Sequence, residues 1–549
     1  MSTDSIRFHS REDRLEDTIV SDQSPAARAD HTSKVGGAGS PSRLWQLGTL
    51  VILTLAVLLR YYDLARKPLH HDEGINAYFV DRLFHQGVYH YDPANYHGPT
   101  LYYCALITSS VNELFSPANE LSIVSMRVVP VLFGIATVWL LLCLRRQLGE
   151  LGALAATLLT AISPAAVYWS RDFIHESLFV FFTLGIVIAA VRYRETVGTK
   201  YLVLASASVA LLVATKETAV ISVVVLLLAA FCSFFYVRAR TRVANGYRTP
   251  RASGRVGAAP ARVRFHGRKL ATISLALIAF LVPYLLLYSS FLSDPAGLHK
   301  SIETFKYWVR AGTTQQTWPW YTYLGWMAEA DLPPLGLGAL GAALVVWRGQ
   351  DRFAVFSALW AFGSLTAYSL LPYKTPWLAL NFLVPLAICS GQAVTAGWGY
   401  MRSSGNERAK RLLITLALLT TMASLYQSIK LNFFAYDDER YPYVYMQTRR
   451  ETLSLVEQIN NIATRSGTGK QTTITITTPD YWPLPWYLRD YKFAGYPGRI
   501  VDPKETIIIA SEQQEPDLPP SLREHYQRVG SYPLRPGVNL VLYASNRKP

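Results

Sequence analysis

Apolar stretches recur along most of the chain, separated by short polar connections. A helix that crosses a bilayer needs about 20 predominantly apolar residues. Runs that reach or approach this length lie near 44–59, 124–144, 151–169, 177–193, 201–215, 218–237, 270–292, 332–347, 353–371, 377–398 and 411–429. The pattern predicts eleven spans. Two further apolar stretches, Leu101–Val111 and Ile75–Phe84, are too short to cross and are expected to lie in the interface as juxtamembrane helices.

After about residue 430 the pattern changes. TTITITT at 472–478, Thr506–Ala510 and Leu540–Tyr543 read as strands, and Leu453–Ala463 has helical periodicity. The predicted fold class is an α-helical polytopic membrane protein with a small C-terminal α/β domain. Its expected parts are a polar leader at 1–43, read as a disordered cytoplasmic segment, a membrane domain at 44–429 and a tail domain at 430–549. The membrane domain carries a long loop at 60–123 and a basic connection at 238–269.

Charge orients this arrangement. The chain has 549 residues, of which 50% are hydrophobic and 17% charged, against about 25% charged in soluble proteins. A net charge of +15 could signal nucleic acid, but the excess sits in short loops between apolar runs. These are Arg145-Arg146, Arg192/Arg194/Lys200, Arg348 with Arg352, Arg402/Arg408/Lys410/Arg411, and the acid-free connection 238–269. With the N-terminus inside, all of them fall on the cytoplasmic side. The opposite, extracytoplasmic side then receives 60–123, Trp169–Glu176, Thr215–Thr218, 293–331, Leu371–Trp377 and the tail. The four cysteines have no CxxC spacing, so neither a disulfide framework nor a zinc site is indicated. Gly336-Leu337-Gly338-Ala339-Leu340-Gly341 matches GxGxxG but follows Pro333-Pro334 rather than a strand. Close helix packing explains it better than dinucleotide binding.

The unusual polar residues collect on the extracytoplasmic side. His70-His71-Asp72-Glu73-Gly74 follows the first span, and Tyr96-His97-Gly98-Pro99-Thr100-Leu101-Tyr102-Tyr103 lies in the same loop. An Asp-Glu pair offers a general base for an acceptor hydroxyl and a neighbour to orient it; the bland reading is a solvated loop acid. In Ser170-Arg171-Asp172-Phe173-Ile174-His175-Glu176, the spacing of Asp172, His175 and Glu176 puts them on one helical face. Such a cluster beside a span is either functional or an ion pair pinning the loop. Lys216-Glu217 and Tyr373-Lys374 are placed to meet a lipid phosphate, with snorkelling as the default for each lysine. Trp482 and Trp486, in the tail's PDYWPLPWYLRD, are candidate sugar or acceptor contacts. The histidines and acids could supply a divalent cation with ligands, with His71, Asp72 and His97 as candidates, yet no diagnostic spacing marks a site. No cofactor is otherwise indicated.

Together, Asp72-Glu73-Gly74-Ile75-Asn76-Ala77-Tyr78 and His97-Gly98-Pro99-Thr100-Leu101-Tyr102-Tyr103 resemble the GT-C superfamily of membrane glycosyltransferases, such as protein O-mannosyltransferases and the lipid A aminoarabinose transferase. Gly98 and Thr100 depart from the commoner His/Lys-Pro-Pro-Leu wording. HHDEG, YHGPTLYY, SRDFIHES, TKET, PYKTPWL and WPLPWYLRDY resemble more narrowly the "flippase activity-associated" family, over about residues 70 to 490. The resemblance implies inverting transfer of a sugar from a polyprenyl-phosphate donor to a hydroxyl-bearing acceptor, whether protein, lipid or glycan, at the outer face of the cytoplasmic membrane. It implies Asp72 as base, Glu73 as its neighbour, His97 near the donor phosphate and Arg171-Asp172 as a second acidic site. Lys216, Glu217, Tyr373 and Lys374 join these from placement and charge alone. The rival expectations are a non-enzymatic transporter or accessory of lipid-linked sugars, and a scaffold that binds a partner through its tail. A nucleic-acid partner is not expected.

Overall fold

Every predicted apolar run is matched by a helix in the computed structural model, which describes residues 41–95, 97–115, 121–246, 266–314, 317–502 and 504–546. The leader up to residue 40 and the central part of the basic connection lie outside the described residues. Among the described residues, eight helices are long and apolar enough to cross a membrane. They are α1 (Arg43–Tyr61), α4 (Ile123–Leu142), α7 (Glu176–Thr196), α9 (Ala219–Gly246), α10 (His266–Tyr288), α14 (Arg352–Leu370), α15 (Leu380–Ser404) with the 3-10 turn before it, and α16 (Glu407–Ile429) with its π-helical extension. Two bent pairs bring the count to ten if each is one span: α5 (Arg145–Ile162) with α6 (Pro164–Ser170) at 57°, and α12 (Thr322–Ala330) with α13 (Leu332–Arg348) at 115°. The remaining predicted run is α8 (Thr199–Val213), apolar but only 15 residues long. The two short apolar stretches are helical too, within α2 (His71–Gln86) and α3 (Thr100–Phe115), and α11 (Ala296–Thr314) follows α10.

Small residues set the closest approaches between spans, where lipid offers no hydrophobic drive and packing must do the work. A Cβ on Gly341 of α13 would stand 1.9 Å from the Cys389 carbonyl oxygen of α15, and one on Gly338 would stand 2.7 Å from that of Leu386. Gly336 faces open space. Two of the three GxGxxG glycines therefore let α13 lie on α15. On the other side of α15, Gly391 meets Gly152 of α5 in the same way, each blocking the other's Cβ with a carbonyl oxygen.

The tail forms a five-stranded mixed sheet of order β2-β1-β3-β5-β4. Its strands are β1 (Thr473–Ile476), β2 (Phe493–Gly495), β3 (Ile507–Ser511), β4 (Tyr526–Arg535) and β5 (Val538–Ser545). β1 pairs in parallel with β2 and β3, and β5 is antiparallel to both β3 and β4. Side chains alternate across the sheet. Ile507 and Ile509 face α17 (Thr452–Arg465) through Leu455 and Ile459, whereas Ile508 and Ala510 face Leu518 and Leu522. The two edge strands escaped the sequence reading. β2 has three residues, and β4 carries Pro533 and register shifts at Arg528/Gly530 and Pro533/Arg535 that break its alternation.

The glycine contacts yield a graded test. Gly341→Ala forces backbone against backbone and is expected to cost about 1–3 kcal/mol, whereas Gly336→Ala is neutral or mildly stabilising through helix propensity. Thermal unfolding of the detergent-solubilised variants measures the difference.

Candidate functional site

The site is built at the N-terminus of α2, where four backbone N–H groups lack helical partners. His70 is the N-cap: its Nδ1 accepts from the Asp72 N–H at 3.0 Å. That bond leaves the proton on Nε2, which donates to the Tyr445 carbonyl at 2.8 Å. Glu73 answers from the third helical position by accepting from the His70 N–H at 2.8 Å, which closes a capping box. The same carboxylate receives Arg127 of α4 in a two-pronged ion pair, at 2.7 Å from Nε and 2.6 Å from a terminal nitrogen, and the Phe173 N–H at 2.6 Å. Burial works to raise the Glu73 carboxyl, but Arg127 and Lys67 override it and hold it below the ordinary carboxylate range. Glu73 is fully buried. The sequence reading placed it in the catalytic pair; the structure uses all of its acceptor capacity to tie α2, α4 and the 171–175 loop together.

Two cations expected to hold donor phosphate are also committed elsewhere. Arg171 donates to the carbonyls of Leu59, Arg60, Tyr62 and Asp63, capping the C-terminal end of α1, and lies over the Phe433 ring at 4.6 Å. Lys374 donates to the Ser369 and Leu371 carbonyls at 2.9 and 2.5 Å, capping α14. Both satisfy carbonyls that a helix leaves unpaired and meet the negative end of its dipole. Tyr373, beside Lys374, is partly exposed. Asp172 is fully buried and pairs with Lys67, whose ammonium lies 3.8 Å from the Tyr168 ring centre. Burial raises the Asp172 carboxyl and lowers Lys67 to about 8, so both move toward neutrality.

The second half of the site is a clasp between HGPT and TKET. Gly98 N–H donates to the Thr215 carbonyl at 3.0 Å, and Thr100 donates through N–H and hydroxyl to that of Ala214. A Cβ on Gly98 would stand 2.1 Å from that Ala214 oxygen, which accounts for glycine there. The clasp sets His97 against Glu217, Nδ1 to carboxylate 3.1 Å, and over His175 with ring centres 4.8 Å apart. Lys216 pairs with Glu176 at 2.5 Å. His175 donates from Nε2 to the Gly98 carbonyl at 3.2 Å, and burial together with His97 and Lys216 keeps it neutral. Burial would raise Glu217, but His97 and Lys216 hold it below the usual range.

Asp72 is different. Its carboxylate is partly exposed at the mouth of this loop face, and among the described residues no hydrogen bond or ion pair engages it. Its charge bears on Lys216, Tyr102 and Tyr445. The tail closes over the same helix end. Trp482 packs edge-on to Tyr78, with ring centres 6.2 Å apart. Pro483 sits where a Cβ on Gly74 would be, at 2.5 Å. Trp486 is buried in the cluster that holds Leu69 and Ala77, so it anchors the tail, while Trp482 remains partly exposed. Arg535 reaches the His71 ring at 3.1 Å.

Among the described residues, no group of three or more His, Cys, Asp or Glu side chains is disposed to hold a metal ion. Of the metal candidates, His71 faces Arg535 and His97 faces Glu217. Sequence reasoning passed over Arg127, Lys67 and Arg535. Arg127 carried a signal, a charge inside an apolar span; the other two carried none.

Two measurements test this wiring. Glu73→Ala leaves Arg127 buried without its partner, and a loss of about 3–5 kcal/mol is expected, read as the thermal midpoint. Burial lowers His71 to about 4 from 6.5, Asp72 opposing and Arg535 adding to the drop. Between those values the unfolded chain binds a proton that the folded chain does not, so stability falls as pH drops through that window. Tm measured from pH 7 to 4 should decline, and His71→Asn should flatten that decline.

A family model described as dolichyl-phosphate-mannose-protein mannosyltransferase matches residues 99–245, which span α3 to α9 and include Thr100 and TKET of the clasp but begin after His97 and Gly98. No curated relative is found by sequence comparison. Among solved structures, the chain is similar to ArnT from Cupriavidus metallidurans bound to undecaprenyl phosphate, with 14% identity, 92% of this chain and 98% of that one covered, and a TM-score of 0.56. The apo state of the same protein gives 13%, 91%, 97% and 0.58. AglB from Archaeoglobus fulgidus, an oligosaccharyltransferase in complex with an inhibitory peptide and a dolichol-phosphate, gives 13%, 86%, 70% and 0.53. The chain is a multi-pass membrane protein with the GT-C fold of ArnT and AglB.

Proposed function

We propose that the chain is a glycosyltransferase that moves a sugar from a polyprenyl-phosphate donor to an acceptor hydroxyl, with inversion, at the extracytoplasmic face of the cytoplasmic membrane. One observation carries this reading: of the acids gathered at the loop face, Glu73, Asp172, Glu176 and Glu217 are each paired, and Asp72 keeps a carboxylate open to an incoming group. In the reaction, the acceptor oxygen attacks the sugar's anomeric carbon while Asp72 takes the hydroxyl proton. The bond from that carbon to the phosphate oxygen breaks, and the polyprenyl phosphate leaves with the electron pair. We assign the phosphate charge to His97, whose side chain is 28% exposed; Lys216, bridged to it along the backbone but buried and paired with Glu176, adds positive charge nearby.

The donor class is supported by the lipid phosphates in the ArnT and AglB structures and by the matched family model. The orientation is supported by the basic residues. Arg192 donates to the Cys143 carbonyl just past α4, with Arg145 paired to Glu150 nearby in sequence, and Arg240 donates to the Trp347 carbonyl near the end of α13; Cys143 lies at the end of α4 opposite to Arg127 and Glu73. The ionisable groups of the site sit at the starts of α2 and α7 and in the loops beside the spans rather than in mid-span, which favours surface chemistry over transport.

The test is donor consumption by the reconstituted full chain, compared with Asp72→Asn. General-base loss is expected to lower turnover about 10²–10⁴-fold with Tm unchanged. Undiminished turnover in the variant would move the base elsewhere, and no turnover with any donor and acceptor supplied to wild type would favour the accessory reading. Chelation with EDTA separates a reaction run by Asp72 alone from one in which Asp72 and His97 also hold a divalent cation.

A further inference from the structure

The hairpin between β4 and β5 ends in Arg535, which is 4% exposed although it lies at a turn of the tail domain. Its guanidinium is spent on three partners from two parts of the chain. One is an ion pair to Asp480, one a bond to the Trp482 carbonyl at 3.2 Å, and one the contact to His71 Nδ1 at 3.1 Å. A guanidinium has five N–H donors and no acceptor. His71 Nδ1 must therefore accept, which leaves the ring proton on Nε2. His71 is the first residue of α2 and the immediate neighbour of Asp72.

We propose that Arg535 is a positioning residue through which the tail domain completes the site: it fixes His71 in its Nε2–H tautomer and pins the Trp482 segment over the start of α2. The proposal rests on the reading of Asp72 as the reacting carboxylate. Asp480 and Trp482 O steer the guanidinium, so the tail presents a pre-set donor to the helix end instead of a loose cation. A lysine could not do this with one ammonium, because the three partners need the planar fork. Trp482, partly exposed, is then held against Tyr78 and Gly74 near the start of α2.

The test compares wild type, Arg535→Gln, Arg535→Lys and Asp480→Asn as full-length chains in proteoliposomes. Arg535→Gln is expected to lower kcat about tenfold or more while KM for the lipid-linked donor stays within about twofold, with Arg535→Lys recovering only part. Asp480→Asn removes the ion pair but leaves the guanidinium beside His71, and it is expected to lose much less. A readout independent of turnover is the ¹⁵N spectrum of histidine-labelled protein, with the His71 signals identified by their loss in His71→Asn. Wild type should show His71 Nδ1 unprotonated, and Arg535→Gln should shift it to a mixture of tautomers. An unchanged tautomer in Arg535→Gln, or equal losses in Asp480→Asn and Arg535→Gln, would overturn the proposal. If wild type turns over no donor, the reading of the site fails, while the ¹⁵N comparison still decides the Arg535 contact.

Discussion

Glu73 and Arg127 form the ion pair on which the loop face depends. Both are fully buried, and a buried charge pair is tolerated only when its geometry is good and its remaining donors and acceptors are filled. Here they are filled by the chain that must be folded. Arg127 also donates to the carbonyls of Leu64, Lys67 and Pro68, and Glu73 accepts from the N–H groups of His70 and Phe173. One pair thus fixes the exit of α1, the entry of α2, a turn of α4 and the loop before α7. The connection from 62 to 70, which has no regular structure to hold it, is shaped by carbonyls facing two guanidiniums, Tyr62 and Asp63 toward Arg171 and Leu64, Lys67 and Pro68 toward Arg127.

That anchoring explains how two adjacent acids come to do different things. Successive helical residues are turned by about 100° from one another. Glu73 points into the protein to meet Arg127, so Asp72 is carried toward the open mouth. The helix start also favours negative charge there, because unpaired N–H groups and the dipole's positive end face it. Cations that could have quenched it are held away: Arg127 by Glu73, Lys67 by Asp172, Arg171 and Lys374 by helix ends. Lys216 is the exception, near enough for Asp72 to act on it yet paired to Glu176.

The spans were legible because bilayer thickness imposes a length and composition on them, and the three buried strands because they are short runs rich in Ile and Thr or in Leu and Val. The acids and histidines of the site were legible as a group, since loops that interrupt apolar runs on one side must share that side. What was not legible was the division of labour inside the group. Whether an arginine meets a ligand or a helix end depends on contacts such as Arg171 to Leu59, more than a hundred residues apart in sequence. The local pattern around Arg171 and Lys374 is the same in either case. Arg535 is the extreme example: it lies in an edge strand with broken alternation, and its partner is His71, 464 positions away.

The tail follows from the same constraint on the loop face. On the proposed reading, a site that admits a lipid-borne group and an aqueous acceptor cannot be sealed by the membrane helices alone. The tail packs against this face, and four of its contacts fall at or just before the start of α2. Tyr487 accepts the Leu69 N–H, Pro483 packs on Gly74, Trp486 enters the apolar cluster beneath, and Arg535 meets His71. Gly74 is what permits this closeness, since any Cβ there would strike Pro483. The glycine of HHDEG therefore belongs to the docking of the tail, the glutamate to the anchoring of the loop, and the aspartate between His71 and Glu73 is the acid that neither task consumes.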